Sequence, residues 1–329
     1  MTYPISISQA EVLKLSNVIG DEANILSFSI LFSFHGDDDL LYRIAEATHS
    51  QFHDLNLVIL DQQNMSLPQE KMNIVQPVQH FDSVSAYEKW ASDRAKLVFS
   101  IEKCCAEIVP VVVSNEKEGF FVRIHHVIAD GWAVSEILIT LSEKYQAALA
   151  GKQEPDRTVY PYSDFIESEN DYLSGPHSKR DGQFWRQFLE NRKNSHLLSD
   201  KTIGDFSSAR MTKGLDAETT RRLRMVAADH GRTLQAVFFS AVALAYQKME
   251  GVSEFCLGTI LLNRKNAKEQ KMLGNCFATV PIPVTILEND SFRDLNNRIS
   301  EAFFSVMRRQ RTSYCRHLIS LQPDLCLIS

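Results

Sequence analysis

From Gly119 to Trp132 the chain reads G-F-F-V-R-I-H-H-V-I-A-D-G-W, and a long amphipathic run follows. The aromatic and β-branched residues before the histidines predict a strand over Gly119–His126. Val134, Ile137, Leu138, Leu141, Tyr145 and Ala148 recur at three- and four-residue steps and predict a helix over Trp132–Ala150, ended by Gly151. A strand that passes through one short turn into a long helix points to an α/β chain. The surrounding sequence agrees. N-I-L-S-F-S-I-L-F-S-F sets Phe28, Ile30, Phe32 and Phe34 against Ser27, Ser29 and Ser33, the pattern of a half-buried strand. Leu40–His53 and Ser85–Phe99 predict helices, and Asn56–Leu60 predicts a strand. Ile108–Val113 and Gly119–His126 predict a hairpin around S-N-E-K-E-G. Later segments predict helices over Asp216–His230, Leu234–Lys248 and Phe292–Arg309 and a strand over Phe255–Leu262. The final P-D-L-C-L-I-S reads as a strand.

At 329 residues the chain exceeds what one core usually holds, so two lobes are expected. S-G-P-H-S-K-R-D-G, Ser174–Gly182, is the strongest linker signal, placing the lobes at 1–175 and 176–329.

The two histidines cannot play the same part, because successive side chains on a strand point to opposite faces. His126 falls with Phe120, Val122 and Ile124, and His125 with Phe121 and Arg123. Asp130 and Gly131 supply an N-terminal acceptor and a permissive turn residue for the helix. One reading is therefore structural: two histidines close a strand and Asp130 caps a helix. The other is chemical. An imidazole with a pKa near 6.5, at a strand end beside a helix N-terminus, can accept a proton or orient a reactant.

Much other chemistry lacks support. A formal net charge of -6 argues against a nucleic-acid partner. No run approaches the roughly 20 apolar residues that span a bilayer, and MTYPISISQAEV lacks the regions of a signal peptide. The six cysteines, Cys104, Cys105, Cys256, Cys276, Cys315 and Cys326, form no C-x-x-C pair and read as small apolar residues in a reducing cytoplasm. No serine elbow, Cys–His pairing or phosphate-binding glycine loop is visible, and neighbouring strand histidines diverge too far to share a metal. R-R-Q-R, Arg308–Arg311, reads as a solvated helix end, with docking to an acidic helix as the lesser alternative. The other histidines (35, 49, 53, 80, 177, 196, 230 and 317) stand in ordinary contexts.

H-H-V-I-A-D-G-W and the helix after it resemble the HHxxxDG motif of condensation domains from nonribosomal peptide synthetases. Y-P-Y-S-D-F, G-Q-F-W-R-Q-F-L, T-L-Q-A-V-F-F-S-A-V-A-L-A, L-G-T-I-L-L-N-R and L-G-N-C-F-A-T-V-P-I resemble later motifs of the family, in order. There are departures. His53–Val58 lacks an arginine frequent in the second motif. Ala278 stands for a frequent asparagine and Pro283 for a frequent basic residue. The chain ends before the DFGWG-type loop, so a C-terminally truncated member is expected.

The resemblance implies an α/β fold of two chloramphenicol-acetyltransferase-like lobes in a V arrangement, the second incomplete. It implies amide formation between a donor acyl thioester and an acceptor amine, both borne on phosphopantetheine arms of carrier proteins, with no cofactor or metal of the domain's own. Carrier domains and adjacent synthetase domains are the expected partners and the cytoplasm the expected location. His126 becomes the catalytic histidine, and the Gly131 N–H a donor to the oxyanion. His125, Asp130 and Arg264 become structural, with Asp130 pairing Arg264. Trp132 becomes a packing anchor and Tyr162 and Asp164 read as local structure, with tunnel lining as the lesser alternative for all three. An acyltransferase using a soluble thioester, an epimerisation domain and an inactive docking remnant are the alternatives.

Overall fold

The computed structural model describes residues 1–68, 70–190 and 211–311. His196, His317, Cys315, Cys326 and the C-terminal strand expected from the sequence lie outside the described residues. The chain divides into two compact units, Met1–Tyr172 with Leu262–Phe277, and Leu173–Leu261 with the residues from Ala278 onward.

The first unit runs β1 (Thr2–Pro4), α1 (Ile7–Ile19), β2 (Ile25–Ser33), α2 (Asp38–Gln51), β3 (Val58–Ile59), β4 (Asn64–Ser66), β5 (Gln79–Phe81), α3 (Val84–Ala95), β6 (Ala106–Val113), β7 (Lys117–His125), α4 (Gly131–Leu149) and α5 (Tyr162–Ser174), whose last two residues fall in the second unit. Its main sheet has the order β2-β7-β6-β5, antiparallel except between β6 and β5, and β1-β4-β3 form a small sheet beside it. The expected hairpin joins β6 to β7, with Ser114 and Asn115 both at positive φ, the twist that a tight antiparallel connection needs.

The alternation along β7 sets the layers. Phe120, Val122 and Ile124 enter the main core with Leu41 and Ile44 of α2 and Val134, Ile137, Leu141 and Tyr145 of α4. Phe121 enters a second cluster with Val109, Val111 and Tyr87 of α3. The sheet is thus covered on both faces, and β6 is buried at every position. Gly119 in β7 is required by close approach, since a Cβ there would sit 2.0 Å from the Ile30 carbonyl oxygen.

The second unit holds α6 (Pro176–Glu190), α7 (Ala217–Asp229), α8 (Leu234–Glu250), β8 (Glu254–Leu261), β9 (Ala278–Thr285) and α9 (Phe292–Met307). Antiparallel β8 and β9 pack against α8 and α9 through Phe255, Leu257, Val284 and Ile299.

Three expectations need correction. Ser174–Gly182 is not a linker: Ser174 closes α5, Gly175 breaks the path, and Pro176 opens α6. Proline fits a first helical position, where no N–H partner is needed. Second, the chain after residue 176 does not all belong to one unit, because Leu262–Phe277, between β8 and β9, is grouped with the first. Third, Arg308–Arg311 is a solvated end only in part, since Arg308 is exposed and Arg311 is buried. Arg311 is 2% exposed, and the Arg309 guanidinium lies 4.0 Å from the Phe184 ring centroid.

Candidate active site

β7 ends at His125, so His126 begins the turn rather than ending the strand. The two imidazoles nonetheless meet different surroundings. His125 is fully buried. Its N–H donates to the Cys105 carbonyl (2.8 Å), and its Nδ1 accepts from the Val127 N–H (3.1 Å). Burial pushes this imidazole below its ordinary pKa, partly opposed by Asp21, whose Oδ1 lies 3.5 Å from Nε2. A neutral ring with Nδ1 as acceptor fits that balance, and it pins the turn by the bond to Val127.

His126 is half-buried. Its backbone is held from both sides: its N–H donates to Asn24 O (2.7 Å), and its carbonyl accepts from Asn275 Nδ2 (2.9 Å). Its ring packs against Phe277 with centroids 5.0 Å apart. Nδ1 is buried with no hydrogen-bond partner among the described residues.

Asp130 is the N-cap of α4, accepting from the Ala133 N–H at 3.0 Å, and is 3% exposed. Arg264 meets it in a two-pronged pair, Nη1 to Oδ2 at 2.6 Å and Nη2 to Oδ1 at 3.2 Å. The Cys276 N–H also donates to Oδ2 (3.0 Å), and Arg264 Nη2 donates to the Gly274 carbonyl (3.0 Å). Burial alone would lower the Arg264 pKa; its acidic surroundings, the Asp130 carboxylate among them, outweigh that and raise it.

Four consecutive residues, Gly274–Phe277, therefore each touch the histidine turn or its supports. Gly274 must be glycine, because a Cβ would lie 2.1 Å from the Tyr162 ring. Asn275 is 0% exposed, and its carbonyl accepts from the Ser8 and Tyr162 hydroxyls. Sequence reasoning missed Asn275, Phe277 and Asn24. A signal for the first existed: an asparagine inside the apolar run L-G-N-C-F, buried, demands partners.

The remaining sequence candidates disperse. Gly131 is the first residue of α4 and needs no left-handed φ, and a Cβ there would meet nothing within 4 Å, so its glycine is not explained by the turn. Trp132 is half-exposed; its indole N–H donates to Gln270 O (3.0 Å), and it lines a cavity of about 490 Å³ with Glu136, Arg157, Gln270 and Leu273. Tyr162 is fully buried, stacked on Phe165, and is a core residue rather than a lining one. Asp164 pairs with Lys268 at 2.7 Å. Among the described residues no cluster of histidine, cysteine and carboxylate could hold a metal, and no helix is long and apolar enough to cross a membrane.

Asp54 caps the start of α5. Pro161 precedes α5 and offers no side-chain oxygen, so Asp54 Oδ2 accepts from the Tyr162 N–H (2.9 Å) instead. Burial pushes its carboxyl up to about 7, against the lowering effect of that bond. A raised carboxyl contributes stability that is present below its unfolded value of 3.8 and lost as pH rises through 7. Asp54→Asn keeps an acceptor for Tyr162 and carries no charge. Relative to the wild type, the variant should gain about 2–3 kcal/mol of unfolding free energy between pH 5 and pH 8, read by urea titration. Buried histidines such as His125 and His49, whose pKa values are lowered, act alike in both proteins and cancel.

The Condensation domain family matches residues 48–319, so the chain belongs to that family. It is 25% identical over 231 residues to a plipastatin synthase of Bacillus subtilis (strain 168), covering 69% of this chain and 9% of that protein. It is 24% identical over 207 residues to enniatin synthase of Fusarium equiseti, covering 61% and 7%. The chain thus spans under a tenth of the length of these relatives. The fold is shared with VibH, described as a condensation enzyme, at TM-score 0.82 and 16% identity over 98% of this chain and 77% of that one. It is also shared with the first condensation domain of the calcium-dependent antibiotic synthetase bound to a substrate analogue, at TM-score 0.80 and 15% identity over 98% and 78%.

Proposed function

We propose that this chain forms an amide bond between a donor acyl or aminoacyl thioester and an acceptor amine, each carried on the phosphopantetheine arm of a carrier protein, in nonribosomal peptide assembly. The observation that carries the reading is the half-buried His126, with its peptide bonded on both sides, on a turn locked by the Asp130–Arg264 pair.

The chemistry asks little of a base. A thioester is already activated, and an α-amine has a pKa of about 8. The amine nitrogen attacks the thioester carbonyl, and a C–N bond forms. With Nδ1 buried, Nε2 of His126 accepts a hydrogen bond from the amine and takes its proton as the tetrahedral adduct forms. The Gly131 N–H, at the positive end of α4, stabilises the oxyanion. The C–S bond breaks, and the proton leaves with the donor arm's thiolate. No acyl-enzyme is required. His125 and Asp130 hold the turn without touching reactants.

The test supplies one acyl group in two forms, on a carrier protein and on free pantetheine, with the acceptor amine on its carrier. The carrier-bound donor should react with a kcat/KM at least about tenfold higher, since binding remote from the reacting atoms contributes to positioning. Equal use of both forms would instead favour a soluble-thioester acyltransferase.

A further inference from the structure

We infer that Asn275 is a positioning residue for His126, which rests on His126 acting in the proposed amide-forming reaction. The carboxamide of Asn275 is fully buried and donates to the carbonyl oxygen of His126 itself, across 149 residues of sequence. Nothing else among the described hydrogen bonds holds that carbonyl. The His126 N–H is bonded to Asn24 on the other side. The peptide that carries the imidazole is therefore clamped at both ends, and one clamp is a side chain.

The residue is itself fixed. Its backbone carbonyl accepts from the hydroxyls of Ser8 and Tyr162, which belong to α1 and α5. Its neighbours bind Asp130 through the Cys276 N–H and cover the imidazole through Phe277. The orientation of the carboxamide follows from its partner: only the NH2 end can serve a carbonyl, which leaves Oδ1 as a buried atom without a partner among the described residues. A buried acceptor left unsatisfied is a cost, and that cost is understandable if the position is kept for the bond that the other end makes. An apolar residue of similar size would avoid the cost and release the His126 carbonyl. The turn would then have a freedom that moves the imidazole relative to a bound amine.

Two variants and two readouts test this. In Asn275→Ala the clamp is gone, and kcat should fall about 10–100-fold, with KM for each carrier-bound reactant unchanged within about twofold. In Asn275→Asp the shape is kept, but the group donates only when protonated and repels the carbonyl when ionised. Its kcat, divided by that of the wild type at the same pH, should rise at least about tenfold from pH 8.5 to pH 6, a recovery that a packing defect would not show. The second readout does not need turnover. The His126 ring ¹H–¹³C correlation, assigned by its loss in His126→Ala, should be single in the wild type and broadened or multiple in Asn275→Ala, whose fold is checked by its melting profile. A wild-type kcat in folded Asn275→Ala, or an unaltered His126 ring signal, would overturn the inference. If the wild type makes no amide, the functional reading falls by itself, and the ring signal alone decides whether Asn275 holds His126.

Discussion

Replacing His126 with alanine should lower the rate of amide formation by about 10²–10⁴-fold, the range that a positioned proton-transfer group contributes. The fold should survive. The ring is only half-buried, it contacts Phe277, and its Nδ1 makes no hydrogen bond among the described residues. The two backbone bonds that hold the residue, to Asn24 and from Asn275, do not depend on its side chain. His125→Ala should behave differently. It removes a buried acceptor and leaves the Val127 N–H without its partner, so it loses stability as well as rate. Thermal melts run beside the rate assay separate the two cases.

The second large effect concerns the ion pair. Arg264→Ala leaves the Asp130 carboxylate buried with its counter-charge removed, and stability should fall by about 3–5 kcal/mol in urea unfolding. Against a typical total of about 5–15 kcal/mol that loss is large. Asp130 would keep the Ala133 and Cys276 N–H groups, so the helix cap itself persists. The double variant Asp130→Asn with Arg264→Met removes both charges together and should lose less than the sum of the two single changes. A sum that is strictly additive would mean that the pair is not coupled.

The parts of this fold that were legible in the sequence are those written in local periodicity. The strand and helix flanking the histidines follow from side-chain alternation and three- and four-residue spacing, and the boundaries of α4 moved by a single residue at each end. The Asp130–Arg264 pairing came only from family resemblance, because the partners are 134 residues apart. The Asn275–His126 contact is equally remote, and no motif named it. β9 was hidden by its own composition: A-T-V-P-I-P-V-T carries two prolines, which normally argue against a strand. Pro281 and Pro283 are two apart and so share one edge, which leaves the register with β8 continuous. Ser174–Gly182 is helical on both sides of Gly175, since glycine and proline can separate two abutting helices as well as mark a linker. Tyr162 read as local structure, with tunnel lining as the lesser alternative; it is buried, and its ring fills the space that Gly274 leaves open.

The most direct measurement of the central claim is the intact mass of all three proteins after one donor-loaded carrier, one acceptor-loaded carrier and this chain are mixed. Direct aminolysis assisted by His126 predicts that the acceptor carrier gains the mass of the donor acyl group, that the donor carrier returns to its free-thiol mass, and that this chain keeps its own mass throughout. It also predicts that the gain disappears with His126→Ala. An acyl group found on this chain, or transfer undiminished in His126→Ala, would contradict direct aminolysis assisted by His126; no gain on the acceptor carrier with folded wild-type protein would contradict the proposed reaction itself.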